Sequence, residues 1–400
     1  MSGRRYLIVC MQYPVVPGDS YLTTELAEAL AARGDTVEVL VLDWRAPPGA
    51  PPTRTNTHGE VTVTRCAPRE VAGMGEAVRA ASKFVLTGRH AARTARRLLD
   101  LSRFDVLIAW MPAVAIAPLL PLVERAGIRH RLLFIWDFFP YHPHEIGRLP
   151  GGLPFRIARW LEQRLLGRFS AILCTLPGNA EYLRARYRVR TGQRVLVTPV
   201  WSDVAPVPAV DRTAVRARYG LPAERPIAVF GGQFVAGRGF DQMLDAAGMA
   251  AAVHSPLLFV FVGDGPLAPA LRARTAVCEN VRWLPAMPRA DYLALLGACD
   301  VGMVATVSGV TSFSIPSKTI DYLRAGLPVI AAVEHGSDFA EIIRRYGVGR
   351  VVPFGDAWAF QDEAARLAVA GDYSAAAAHC LDEVFHLRHT LAAIDAATAG

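Results

Sequence analysis

Apolar residues fall along this chain in short unbroken runs of strand length. Between the runs they recur every three or four positions, the spacing of a helix with one buried face. Tyr6 to Met11 is the first run, and Leu22, Leu26, Ala29 and Leu30 then mark a helix that Gly34 ends. Val37 to Leu42 is the next run. Runs without alternation predict strands buried on both faces, as in a parallel sheet covered by helices. The pattern returns at Val106 to Trp110, Leu132 to Trp136, Ile172 to Thr175 and Val195 to Thr198. Pro47 to Thr57, rich in Pro, Gly and Thr, reads as an excursion loop. Val200 to Val210, with Pro206 and Pro208, breaks the rhythm and reads as a linker. A second series follows at Ile227 to Phe230, Leu257 to Val262, Val281 to Leu284, Val301 to Val304 and Val329 to Ala332. Helical stretches such as Gln242 to Ala252 and Tyr292 to Cys299 alternate with these runs. The expected fold class is α/β, two doubly wound Rossmann-like domains facing across a cleft, with ligands at the carboxyl ends of the strands. The expected bounds are 1–199 for the first domain, 200–212 for the linker, 213–374 for the second domain and 375–400 for a final helical segment.

Composition narrows this picture. With 400 residues, 52% of them hydrophobic, the chain can fill two cores and is not a disordered, collagenous or disulfide-stapled protein. The net charge of +7 is unevenly placed. Residues 1–200 hold 27 Lys and Arg against 16 Asp and Glu, and the rest hold 16 against 20. A basic front half fits an anionic substrate, an anionic membrane surface or a merely solvated face. Six scattered cysteines without a C-x-x-C pair argue against zinc and disulfides and for a reducing compartment. The uncharged run Val106 to Val123 contains Pro112, Pro118 and Pro121, so it reads as strand, turn and buried helix, not as a membrane span. The expected location is cytoplasmic. The basic stretches Arg89 to Arg97 and Arg156 to Arg168 read either as amphipathic helices on the inner membrane face or as packing helices with a solvated arginine face.

Absent motifs exclude several chemistries. No G-x-G-x-x-G follows the first strand, and there is no G-x-x-x-x-G-K-[ST], G-x-S-x-G, H-E-x-x-H or D-x-D. Three glycine-rich segments of the second half remain. In FGGQFVAGRGFD (230–241), Gly231 and Gly232 allow a tight strand exit, and Arg238 ahead of a helix suits a phosphate. VGDGP (262–266), with Gly263, is a second strand exit. In SFSIPSKTIDYLRAGLPVIA (312–331), Lys318 with free N–H groups of a helix start suits a diphosphate, and Asp321 one turn on suits the hydroxyls of a ribose. Each also has a plain reading as turn or helix-start architecture.

Taken in order, the opening PGDS loop and these three segments resemble the retaining GT-B glycosyltransferases of family 4, along nearly the whole chain. The closest pattern is the subgroup with P-S-K before the ribose-binding acid, which includes enzymes of bacterial polysaccharide and secondary-metabolite glycosylation. The resemblance implies metal-independent transfer of a sugar from a nucleoside-diphosphate donor, with UDP or GDP the expected carrier and no further cofactor. The acceptor is a small molecule or a lipid-linked one, and a peripheral membrane contact is compatible with it; nucleic acid is not expected as a partner. It also implies a final helix that crosses back to the first domain. Carried over by position, the family's Arg and Lys fall on Gln233 and Arg238, and its paired glutamates on Phe313 and Asp321. Its His-Asp after the fourth front strand falls on Trp136 and Asp137, and its donor-side glycine on Gly18. The expected donor set is Gly18, Gly232, Gln233, Arg238, Gly263, Ser314, Lys318 and Asp321. Asp137, Arg238 and Lys318 are the expected catalytic groups. The acceptor is expected at FFPYHPHEIG (138–147), through His142, His144 and Glu145, the plain alternative being a surface loop whose aromatics pack locally. Two alternatives on the same fold are a nucleotide-sugar epimerase and a non-catalytic sugar-nucleotide-binding or partner protein.

Overall fold

The structure, a computed structural model, describes residues 3–14, 21–56, 61–69, 76–202, 204–235, 237–307, 315–334 and 336–399, with 76–81 as backbone only. The chain divides into two compact units. One holds the residues up to Val200 together with those from Leu387 onward, and the other runs from Trp201 to His386.

The front unit is built in the order β1 (Arg5–Cys10), α1 (Leu22–Ala32), β2 (Thr36–Leu42), β3 (Thr53–Asn56), β4 (Thr62–Cys66), α2 (Glu76–Leu98) and β5 (Val106–Trp110). It continues with α3 (Leu120–Arg125), β6 (His130–Ile135), α4 (Tyr141–Glu145), α5 (Leu153–Leu166), β7 (Ala171–Cys174), α6 (Pro177–Arg186) and β8 (Arg194–Val197). Its sheet order is β3-β4-β2-β1-β5-β6-β7-β8. Every pairing is parallel except β3 with β4. The strand β3 corrects the loop expected over 47–57. Its residues TRTN are all exposed, so no apolar pattern marks them, and the pairing with β4 alone makes them a strand. The uncharged run from Val106 resolves into β5, a 3-10 turn at Ala113–Ile116 and α3.

In the second unit come α7 (Arg212–Arg218), β9 (Ile227–Gly231), α8 (Phe240–Ala252), β10 (Leu258–Val262), α9 (Ala268–Thr275), β11 (Val281–Leu284) and α10 (Arg289–Gly297). They are followed by β12 (Val301–Ala305), α11 (Lys318–Arg324), β13 (Val329–Ala332), α12 (Asp338–Tyr346), β14 (Gly349–Val352), α13 (Ala357–Leu367) and α14 (Ser374–Cys380). The sheet order is β11-β10-β9-β12-β13-β14, parallel throughout. Phe230, Phe234, Phe240 and Phe261 pack where β9 and β10 leave the sheet, with Phe240 centred 4.8 Å from Phe230 and 5.1 Å from Phe234. Burying each ring stabilises the fold by about 1.5–3 kcal/mol, which fixes the strand ends that carry the candidate site.

Two connections depart from the expected ones. The proline-rich segment after Val200 is strapped down within the second unit. Val207 N–H donates to the Arg324 carbonyl at 2.9 Å, and the Arg324 side chain donates to the Ala205 carbonyl at 2.8 Å. The final helical stretch is interrupted at His386, whose extended backbone pairs with Ser202. Beyond it, α15 (Leu387–Thr398) lies on the front sheet, where Thr390 and Thr198 share a 2.8 Å hydroxyl contact and Arg4 donates to Thr398 at 2.7 Å.

Candidate active site

In the second unit the exits of β9 and β10 are laced together. Gly232 N–H donates to the Val262 carbonyl at 3.0 Å, and Phe234 N–H donates to that of Asp264 at 2.9 Å. Contact is so close that a Cβ on Gly263 would lie 2.0 Å from the Gly232 carbonyl oxygen. Gly263 is buried, and its lack of a side chain lets the two strand exits meet. Gly232 is exposed, and its φ of +134° is a backbone shape that only glycine adopts readily. Gln233 is exposed beside it. At the start of α8, Gly239 sits so tightly on the end of β12 that a Cβ would be 2.5 Å from the Ala305 side chain. That approach sets Arg238, exposed, at the edge of the same strand ends.

The ammonium of Lys318 lies over the Phe230 ring, 4.4 Å from its centre. Burial first, and then the positive charge of Arg238, push the Lys318 pKa down to about 7. Among the described residues no carboxylate pairs with either cation. A desolvated ammonium beside a second cation is poised for an anion, because an anion would relieve both costs. Two of the N–H groups at this helix start are engaged within the turn. Thr319 N–H donates to the Pro316 carbonyl at 2.9 Å and Ile320 N–H to that of Ser317 at 3.1 Å. The first turn tightens on itself at these two positions, beside the cationic side chains.

Asp321, one turn further, is held by the guanidinium of Arg289 in a two-pronged ion pair, one arm at 2.6 Å. This partner was not foreseen from the sequence, where Arg289 is one arginine among many. A carboxylate has about four lone-pair sites, so each Asp321 oxygen keeps one for a hydroxyl. Beneath it, Tyr322 accepts from Gly231 N–H at 3.2 Å, and Tyr292 abuts Gly231 so closely that no side chain fits there. Burial drives the Tyr292 phenol well above its ordinary pKa, so it stays neutral. Gly18, Phe313 and Ser314 lie outside the described residues.

In the front unit Trp136 and Asp137 follow β6 directly. The Trp136 ring is 5.4 Å from Trp110 and 6.2 Å from Tyr21, while Asp137 is exposed. Phe138 turns inward onto Tyr182 at 4.7 Å. Two of the three expected acceptor contacts are tied to their own surroundings. His144 bonds the Leu149 carbonyl at 2.9 Å and packs on Phe155, and Glu145 accepts from the Tyr182 hydroxyl at 3.4 Å. His142 is half-buried on α4. Glu162, on the inner face of α5, is fully buried and accepts from Ala113 N–H at 2.5 Å and Val114 N–H at 3.1 Å. Burial pushes its carboxyl up to about 8 against those two donors. The sequence signal was there: a lone glutamate four positions before Leu166, on the buried side of an arginine-rich helix.

The sequence pattern of the glycosyl transferase 4-like domain matches residues 20–201, and that of the glycosyl transferases group 1 matches residues 225–369. The chain belongs to the family 4, group 1, glycosyltransferases. This glycosyltransferase is 25% identical over 264 residues to the probable glycosyltransferase WbjE of Pseudomonas aeruginosa, a match spanning 64% of each chain. Its fold is the GT-B fold. Sucrose-phosphate synthase of Thermosynechococcus elongatus superposes with a TM-score of 0.68 at 16% identity, covering 98% of both chains. WaaG, a glycosyltransferase involved in lipopolysaccharide biosynthesis, gives 0.67 at 15% identity over 98% of this chain and all of that one. Anabaena HepE in complex with UDP gives 0.66 at 14% identity over 99% and 100%. Among the described residues of this glycosyltransferase, no group of three His, Cys, Asp or Glu could hold a metal ion.

Proposed function

We propose that this protein transfers a sugar, with retention and without a metal, from a nucleoside-diphosphate donor to a small-molecule or lipid-linked acceptor in polysaccharide or secondary-metabolite biosynthesis. The observation that carries the reading is the pair Lys318 and Arg238 at the β9 exit, cations without a carboxylate partner among the described residues. They would meet the charge that develops as a diphosphate leaves, a preorganised stabilisation that often dominates catalysis. Asp321 would hold the ribose, with Arg289 fixing its plane. The C1–O bond to the distal phosphate breaks with its electron pair going to the phosphate oxygen. The acceptor oxygen bonds C1 from the same face, and its proton passes to that phosphate oxygen. This route needs no separate base. Asp137, exposed in the front unit, is the side chain there best suited to orient the acceptor hydroxyl.

UDP is the carrier to try first. HepE has been solved with UDP and with UDP and glucose, and a further relative of this fold with UDP-2-fluoro glucose. WbjE and WaaG, as glycosyltransferases and in WaaG's case of lipopolysaccharide assembly, support a cell-surface glycan as the product. Calorimetric titration of UDP, GDP, ADP and dTDP into the full chain tests the donor site, with release of the nucleotide from its sugar conjugate as the readout of turnover. One nucleotide should bind, and Arg238→Ala should weaken it by about 1.5–3 kcal/mol. If none of the four binds, the transferase reading fails.

A further inference from the structure

Along α2 the front unit carries a cationic hollow that the transfer chemistry does not use. Two adjoining cavities, of about 660 and 470 Å³, share Arg69, His90 and Arg93 as lining. Arg97 lines only the larger, which reaches Pro51 and Pro52 ahead of β3, and Arg89 only the smaller. The fold fixes the walls. Gly49 N–H donates to the Pro68 carbonyl at 3.1 Å, and Arg69 N–H donates to the Thr87 hydroxyl at 3.0 Å. At the other end, Arg54 of β3 donates to the Leu98 carbonyl at 2.6 Å. These bonds tie the loops after β2 and β4, and the edge strand β3, to one helix.

The positive charge of the hollow has no internal counterpart. Among the described residues, no carboxylate lines either cavity, and none pairs with Arg69, Arg89, Arg93 or Arg97. Elsewhere in this unit arginines find carboxylates, as in Arg5 with Asp105, Arg54 with Glu38, Arg65 with Asp43 and Arg168 with Glu124. His90 Nε2 is buried without a hydrogen-bond partner. Burial, and then Arg69, Arg93 and Arg97, hold its imidazole below the ordinary value. A plain solvated face spreads its arginines into water, whereas these converge with a histidine on one concavity.

Charge and spacing together narrow the ligand. Four guanidinium groups ask for several negative charges, and one phosphate monoester carries about −1.5 to −2 at neutral pH. Arg89, Arg93 and Arg97 recur every four residues, so successive charges stand about 6 Å apart along the helix and the outer two about 12 Å. Two phosphates fit that length, one at each end with Arg93 between them. A pyrophosphate, whose two phosphorus atoms share one oxygen, fills only one of the two cavities. Guanidinium groups hold phosphate oxygens in two-pronged contacts, which a chain of hydroxyls does not satisfy.

We propose that this hollow binds a soluble small molecule bearing two phosphate groups held apart by a ring or short carbon chain, one phosphate in each cavity. The site is separate from the reaction. β3 and β4 form one edge of the front sheet, and β6, whose exit carries Asp137, lies four to five strand spacings away, about 19–24 Å. The bisphosphate is therefore a third ligand, neither donor nor acceptor. The inference uses no residue of the nucleotide site, so it stands or falls apart from the transfer reading.

The test is calorimetric titration of fructose 1,6-bisphosphate, glucose 6-phosphate and inorganic phosphate into the full chain. The bisphosphate should bind one to one, at least about tenfold more tightly than either monophosphate, since losing one charged contact set costs that much or more. Arg93→Ala, at an exposed helical position, should weaken it by about ten- to a hundredfold, while Arg238→Ala leaves it unchanged. Thermal unfolding is the check on folding. The bisphosphate should raise the unfolding temperature of the parent chain and not that of Arg93→Ala. Without ligand, Arg93→Ala should unfold at the same or a slightly higher temperature, because one of several crowded like charges is gone. Bound bisphosphate should also raise the His90 imidazole pKa, read by NMR, as an anion offsets Arg69, Arg93 and Arg97. No bisphosphate binding, equal affinity for inorganic phosphate, or undiminished binding by folded Arg93→Ala would overturn the proposal. Binding that Arg238→Ala abolishes would move the ligand to the nucleotide site and overturn it too. So would phosphatidylglycerol vesicles captured through Arg93 by a chain that ignores the soluble bisphosphate.

Discussion

Each unit holds a charged side chain that burial pushes toward neutrality, Glu162 in the front unit and Lys318 in the second, and the two are treated in opposite ways. Glu162 in the front unit receives two backbone N–H groups and, among the described residues, has no cation paired with it. Lys318 in the second unit receives a ring face and a neighbouring cation. Both shift toward neutrality, because burial penalises charge of either sign. Among the described residues only the first has its hydrogen bonds supplied by the fold. A buried charge that the backbone satisfies is architecture, whereas one that faces a like charge is electrostatically suited to an anion. The contrast separates the two far better than their sequence surroundings do.

Replacing both groups is the sharpest way to break this comparison. Glu162→Ala leaves two buried N–H groups without an acceptor and should cost about 3 kcal/mol of stability, read by thermal unfolding, with nucleotide affinity retained. Lys318→Met should do the reverse. Nucleotide affinity should fall by about 1.5–3 kcal/mol, while the unfolding temperature holds or rises, since the change removes an uncompensated charge. If Lys318→Met instead destabilised the protein and left affinity alone, the lysine would be structural and the contrast would collapse.

The acidity of the solution offers a subtler separation. Glu162 has a folded pKa near 8, above its unfolded value, so the folded state binds more protons between about 4.5 and 8. Its contribution to stability is present at low pH and is lost as the pH rises through 8. Lys318 has a folded pKa near 7, below its unfolded value, so its contribution runs the other way and grows as the pH rises from about 7. For a diphosphate the requirement is a protonated Lys318. Affinity should weaken above pH 7, by up to about tenfold per pH unit, and Lys318→Arg should flatten that slope. A slope unchanged in the arginine variant would place the titration elsewhere.

The smallest expected effect concerns the ribose. With Arg289→Ala the Asp321 carboxylate loses its fixed plane. UDP affinity should fall by about 1 kcal/mol, and most of the preference for UDP over its 2′-deoxy analogue should vanish. Equal loss for both nucleotides would mean that Arg289 supports the fold and not the hydroxyl contact.

Much of this was legible in the residues. Unbroken apolar runs located most strands, because a strand buried on both faces needs apolar residues at every position. Arg238 and Lys318 stood out because glycine-rich strand exits and a lysine in a lysine-poor chain are locally visible. The rest depended on contacts distant in sequence. Arg289 meets Asp321 across 32 positions, β3 exists only through its pairing with β4, and the packing of Gly263 on Gly232 joins two separate strand exits. The engagement of the Thr319 and Ile320 N–H groups ahead of Asp321 has a local reason: the turn closes on the Pro316 and Ser317 carbonyls.

The placement of α15 bears on the order of events during synthesis. The front sheet is translated first, yet the helix that covers Thr198 and meets Arg4, Arg33 and Arg194 is made only after the whole second unit. The nascent front unit waits with that flank wet, so a lesion that removes residues beyond His386 would damage the half of the protein farthest from it along the chain.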